Sequence, residues 1–237
     1  MENQNTGKRL NKFIADSGYC SRREADRLIE EGRVLVDGRK GVLGDKVVPG
    51  TVVLVDGQSL TGDGEKVYLL LNKPVGIVCT ADPREPMNVV DYLSYPIRIF
   101  PVGRLDKDSE GLLLMTSDGE IVNRLLRAAG GHEKEYEVTV DRPVTREVLE
   151  GMMKGVPILD TVTLPCKIRR TGDKSFNIII VQGLNRQIRR MCEYFGYNVT
   201  SLRRIRIMNI KLGSMKPGQW RELTEDEFST LMRQLDR

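Results

Sequence analysis

PVGRLDKDSEGLLLMTSDG, residues 101–119, changes character halfway along. Its first half is a polar loop carrying Arg104, Asp106, Lys107 and Asp108, and its second half runs through Leu112, Leu113, Leu114 and Met115. A short apolar run bounded by turn residues predicts a buried strand, here entered from a charged loop. Asp118 then stands where a helix N-cap belongs, ahead of a stripe of Val122, Leu125, Leu126 and Ala129. Asp108 with Ser109 suits an ordinary turn. Asp106 has no comparable structural assignment beyond pairing with Arg104 or Lys107, which makes it the first candidate for chemistry.

Outward from this stretch, KVYLLLNKP, IRIFPV, KEYEVTV, the CKIRRTGDKSFNIIIV hairpin and SLRRIRIMNIKL read as further strands. Helical stripes fall at Val148, Leu149 and Met152, at Ile188, Met191, Cys192 and Phe195, and at Phe228, Leu231, Met232 and Leu235. Thr224 and Glu227 form a capping box for the last of these. Strands and helices alternate without a regular βαβ beat, so the expected class is α+β with a mixed, mainly antiparallel sheet and flanking helices.

Ahead of this unit lie two short helices. KRLNKFIADSG places Leu10, Phe13 and Ile14 on one stripe and stops at Gly18, and SRRE caps a second helix through Ser21 and Glu24. VLVDGRK and VVLVDGQS follow, with Asp-Gly turns that predict a small antiparallel element. The expected division is a disordered tail over 1–7, a small domain over 8–56, a linker over 57–66 and a larger domain over 67–237.

Composition excludes several classes. The 237 residues, 40% of them hydrophobic, suffice for a sizeable core. The polar start MENQNTGK and the lack of a long apolar run predict a soluble chain of the cytoplasm, without a membrane. Four well-separated cysteines form no C-x-x-C pair, so they read as reduced thiols rather than a zinc or disulfide framework. A single histidine, His132, leaves little room for a His-based triad or a multi-His metal site, and points to carboxylate, tyrosine or cationic chemistry.

Charge is concentrated. Net charge is only +4, but from Gln182 to Arg221 nine lysines and arginines face one acid, Glu193. That tract predicts a polyanion-binding face, with Arg186, Arg190, Arg204 and Arg206 as phosphate contacts. On the helix of NRQIRRM, Arg186 and Arg190 point away from the apolar stripe and Arg189 lies on its flank, where a half-buried guanidinium can hold Asp106 ionised. On the second N-terminal helix, Arg23 and Arg27 form a like-charge pair that calls for an anion, unless Glu30 and Glu31 neutralise them.

NKPVG, GRLDKDSEGLLLMTSDG, HEKEYEVTV and QGLNRQIRRMCEYFGY, in this order and spacing, resemble the motifs of the bacterial rRNA pseudouridine synthases of the RsuA/RluB/RluE/RluF group, and HEKEYEVTV followed by GVPILDTVT and QGLNRQIRRM is most similar to the RluF branch. KRLNKFIADSGYCSRREADRLIEEGRVLVDG resembles the S4-like RNA-binding module. The resemblance spans roughly Arg9 to Leu235. It implies isomerisation of a uridine in RNA to pseudouridine, without cofactor or metal, with Asp106 acting on the sugar, Tyr136 stacking on the uracil and Arg189 as the salt-bridge partner of Asp106. Arg104 is placed near the vacated base position, and Lys73 supports the active-site loop. Lys12, Ser21, Arg22, Arg23 and Arg27 are the RNA contacts expected of the front module. The implied partner is large-subunit rRNA, free or in an assembling particle, with tRNA as an alternative and a monomeric chain. Two rival readings use the same residues: a non-catalytic rRNA-binding or ribosome-assembly protein, and an RNA N-glycosylase that releases the base.

Overall fold

The computed structural model describes residues 7–126 and 131–236. The expected tail over 1–7 and Ala129 of the helical stripe fall almost wholly outside these residues. Contacts divide the described chain into two units, residues 7–67 with 95–99 and 117–119, and the remainder.

The first unit holds helices Leu10–Asp16 and Arg22–Glu30 and a four-stranded antiparallel sheet. Ser21 caps the second helix by accepting from the Glu24 amide at 3.1 Å. The reciprocal half of the expected box is missing, because the Glu24 carboxylate takes Arg27 instead. Two hairpins turn on Asp37-Gly38 and Asp56-Gly57, with φ of 48°, 82°, 50° and 81°, as a two-residue primed turn requires. The second hairpin corrects the linker over 57–66: Gln58–Leu60 is a strand paired with Val53–Val55, so the sheet continues past residue 56. Leu10, Ile14, Leu28, Ile29, Val34 and Val53 are the centre of this unit's own apolar core.

The second unit is built on one nine-stranded mixed sheet. In spatial order its main strands are Lys167–Arg170, Ser175–Ile180, Lys134–Val140, Val199–Ile207, Glu110–Thr116, Tyr68–Lys73 and Trp220–Glu222. Short strands Phe100–Pro101 and Ile210–Lys211 attach to Glu110–Thr116 and Val199–Ile207. Every pairing is antiparallel except that of Val199–Ile207 with Glu110–Thr116, where Arg203 faces Glu110 and Arg204 faces Gly111. The LLLM run is buried at every position because both faces of its strand are covered, which is why it reads as a continuous apolar block rather than an alternation. On one face Leu70, Leu112, Leu114 and Ile207 pack with Leu125 and Leu231 from helices Gly119–Leu126 and Glu225–Leu235. The class is therefore α+β, with a mixed, mainly antiparallel sheet. Helix Val89–Leu93, the edge strand Trp220–Glu222 and the small hairpin of Pro157–Ile158 with Thr161–Val162 were not legible in the sequence pattern.

Candidate active site

The charged loop before Glu110–Thr116 is pinned from several sides. Ser109 N donates to Asp106 O at 3.1 Å, Gly76 N to Lys107 O at 2.7 Å, and Leu105 N to the Cys79 sulfur at 3.3 Å. The loop meets the sheet at Gly111, whose φ is 108° and where an added Cβ would lie 2.3 Å from the Arg204 carbonyl oxygen. Only glycine fits that approach. Leu105 and Ser109 are buried, and between them the Asp106 side chain stays about a third exposed.

Asp106 opens onto a cavity of about 990 Å³ whose wall also contains Arg104, Tyr136, Lys134, Arg186 and Arg204. Tyr136 projects from Lys134–Val140 just after a register irregularity between Glu135 and Tyr136, and is 8% exposed. The Arg204 guanidinium lies 5.9 Å from its ring centroid, with Nη1 3.5 Å from the hydroxyl oxygen. This is a carboxylate, an aromatic side chain and several cations around one void. His132 lies in the loop before Lys134–Val140 and is buried in the cavity wall, with Nε2 3.1 Å from the Arg124 carbonyl oxygen. Lys134, also in that wall, is pushed below the ordinary lysine range by burial and by the charge of Arg204.

The arginines differ from expectation. Arg189 does not pair with Asp106. Its Nη2 lies 3.3 Å from Asp108 Oδ2 and donates to Asp108 O at 2.9 Å and Ser109 Oγ at 3.2 Å, while Nη1 donates to Val199 O. The carboxylate two residues on, rather than Asp106, is the one turned toward helix Gln187–Tyr194. Among the described residues the ion-pair neighbour of Asp106 is Arg186, at 3.7 Å.

The phosphate-tracking role expected for Arg204 and Arg206 is also corrected. Arg204 is 3% exposed and donates to Leu112 O at 2.7 Å, and Arg206 is held by Glu135 at 2.8 Å and Glu133 at 3.0 Å. Arg203 pairs with Glu137 and Arg221 with Glu227. Five of the nine basic residues of the tract thus have acid partners, two of them, Arg206 and Arg203, through strand register that sets Glu135 and Glu137 opposite them. Arg190 bonds Asn185, and Lys211 and Lys216 are the exposed cations of the tract that make no ion pair among the described residues.

Lys73 has no exposed surface and donates to its neighbour's carbonyl, Pro74 O, at 2.8 Å. Burial pushes it below the ordinary lysine range, opposed by the negative charges of Asp108, Asp106 and Glu110. In the first unit Arg22 and Arg23 are exposed and unpaired among the described residues, whereas Arg27 is engaged by Glu24 and Glu31 and Lys12 lies 3.9 Å from Asp16. The thiols are all free, and burial pushes Cys166 up to about 11 and Cys192 up to about 12.

Comparison with known proteins places this geometry. The model of the RNA pseudouridylate synthase family matches residues 67–194, and the S4 domain model matches residues 8–53. The chain belongs to the RNA pseudouridine synthase family, and is an enzyme of RNA modification with an S4 RNA-binding domain. A dual-specificity RNA pseudouridine synthase RluF of Salmonella typhi is 53% identical over 98% of this chain and 81% of its own length. Its counterpart in Escherichia coli K12 is 53% identical over 96% of this chain and 79% of its own length. A crystal structure of a pseudouridylate synthase superposes with a TM-score of 0.70 at 29% identity, covering 94% of this chain and 99% of that one.

Proposed function

We propose that the chain isomerises a specific uridine of large-subunit rRNA, with Asp106 as the essential carboxylate. The observation that carries this reading is the cavity shared by Asp106 and Tyr136, since a base must leave its stack to enter such a pocket. A flipped nucleotide costs about a few kcal/mol to extrude, and stacking on an aromatic face returns about 1–3 kcal/mol. Tyr136 offers that face, and Arg104, exposed at the cavity mouth, takes the space the base vacates.

Breaking C1′–N1 leaves positive character at C1′, which an ionised carboxylate stabilises, by proximity or by bonding to it. The uracil turns and bonds to C1′ through C5; C5 loses a proton and N1 gains one, so the reaction is an isomerisation balanced without a cofactor. Lys73 and Arg189 hold the Asp106 loop from beneath, and Arg186 and Arg190 face the RNA.

The relatives' name, dual-specificity, supports a second RNA class, for which a tRNA is our candidate. We further assign the region from residue 8 to the second hairpin as the RNA clamp, with Arg22 and Arg23 in contact with phosphate alongside Lys12 and the Ser21 turn, and the region from 67 onward as the catalytic domain. A monomer acting in the cytoplasm, on rRNA or an assembling particle, completes the reading; no helix among the described residues is long and apolar enough to cross a membrane. Deleting the gene and mapping pseudouridine in rRNA and tRNA tests it. One or two sites should disappear, return with the wild-type chain and stay absent with Asp106→Asn; an unchanged map would overturn the rRNA assignment.

A further inference from the structure

The loop PVGRLDKDSEG contains a second carboxylate whose environment is more constrained than that of Asp106. Asp108 Oδ1 accepts from Arg186 Nη1 at 3.2 Å and Oδ2 from Arg186 Nη2 at 3.3 Å, a two-pronged grip on one guanidinium. The same Oδ2 lies 3.3 Å from Arg189 Nη2. Asp106 Oδ2 stands 3.7 Å from Arg186 Nη1, the nitrogen that Asp108 already holds. Arg186 itself precedes helix Gln187–Tyr194 with φ of 50°, a left-handed backbone that a bulky non-glycine residue adopts at a cost. The side chain so aimed reaches both carboxylates.

A guanidinium offers a fork that fits a carboxylate with two parallel hydrogen bonds. If Arg186 gave that fork to Asp106, both carboxylate oxygens would be occupied and turned from the sugar. Asp108 takes the fork instead, and leaves Asp106 with the positive charge nearby but its oxygens open to the cavity.

We propose that Asp108 is a positioning residue of the reaction, which takes the hydrogen-bonding fork of Arg186 away from Asp106 so that the Asp106 oxygens stay open to the cavity until a nucleotide enters. The proposal rests on the assignment of Asp106 as the group acting on the sugar. It gives Arg186 a share in the catalytic centre that a phosphate contact alone would not have, and leaves Arg189 as the clamp of the loop backbone.

The test uses full-length wild type, Asp108→Asn, Asp108→Glu, Arg186→Gln, the double variant Asp108→Asn/Arg186→Gln and Asp106→Asn, with C5-tritiated 23S rRNA transcript and thermal unfolding of each chain. A misplacement of this kind costs about 10- to 100-fold, so Asp108→Asn should lose that much kcat with KM within about threefold of wild type. Asp108→Glu, which keeps the charge, should recover most of it. The double variant should turn over faster than Asp108→Asn alone, because the arginine released onto Asp106 is then gone; a merely structural role predicts the opposite order. The proposal is overturned if Asp108→Asn keeps wild-type kcat, if its loss lies in KM, if the double variant is no faster than the single one, or if Asp108→Asn fails to fold, which would make Asp108 a structural clamp. Retained turnover in Asp106→Asn would instead sink the underlying assignment, a result distinct from all of these.

Discussion

Lys73 is the last residue of strand Tyr68–Lys73, and its ammonium group has no exposed surface and one neighbouring carbonyl. A cation placed so is costly to bury, and acidic neighbours offset only part of that cost. Lys73→Met should therefore leave the fold as stable or raise stability by about 1–2 kcal/mol, seen as a higher melting temperature, while turnover falls because the loop of Asp106 loses its buried charge. A lower melting temperature would contradict this. Asp106 stands out as a candidate in the sequence because glycines, turn residues and an apolar run surround it with no structural task left over. The partner of Asp106 was not legible, since helical phase places Arg189 on a flank but cannot say which of two carboxylates, Asp106 or Asp108, turns toward it.

Among the elements, the parallel pairing of Glu110–Thr116 with Val199–Ile207 matters most, because Gly111 and Arg204 meet there directly behind the loop of Asp106. Gly111→Ala places a methyl group 2.3 Å from a backbone oxygen at a φ of 108°, so no side-chain movement relieves it. The variant should be destabilised by about 3 kcal/mol or more and be found largely insoluble; a stable, active Gly111→Ala protein would refute the geometry. Arg204→Met leaves Leu112 O without its buried donor, at a cost of about 1–3 kcal/mol, measurable as a shifted denaturant midpoint. The elements themselves were readable from alternation in KEYEVTV and period 3.6 in NRQIRRMCEYFG. Strand order was not, and so the basic tract looked free: nothing in the sequence says that Glu133, Glu135 and Glu137 lie beside Arg203 and Arg206.

At the scale of the whole molecule, much of the basic tract is neutralised within its own unit. The N-terminal helix Arg22–Glu30 still presents free charge, but at Arg22 and Arg23 rather than at Arg23 and Arg27, because Glu24 and Glu31 occupy Arg27. Arg22→Glu with Arg23→Glu should weaken binding to structured rRNA and make the slope of log K against log salt less negative by about 1.5, at about 0.7–0.9 per phosphate contact. An unchanged slope would remove these arginines from the RNA interface. The start of the larger unit near residue 67 was readable from the sequence, whereas the end of the small domain was set too early, because the Asp56-Gly57 turn closes a hairpin rather than ending the domain.

The central claim is that this cavity converts uridine to pseudouridine through Asp106. Tritium release from C5-labelled 23S rRNA transcript, followed by nucleoside analysis, tests it most directly in wild type and Asp106→Asn. The account predicts release with pseudouridine formed in wild type, and neither in a folded Asp106→Asn protein that still binds the RNA. Turnover that survives Asp106→Asn, or release accompanied by free uracil in place of pseudouridine, would contradict it.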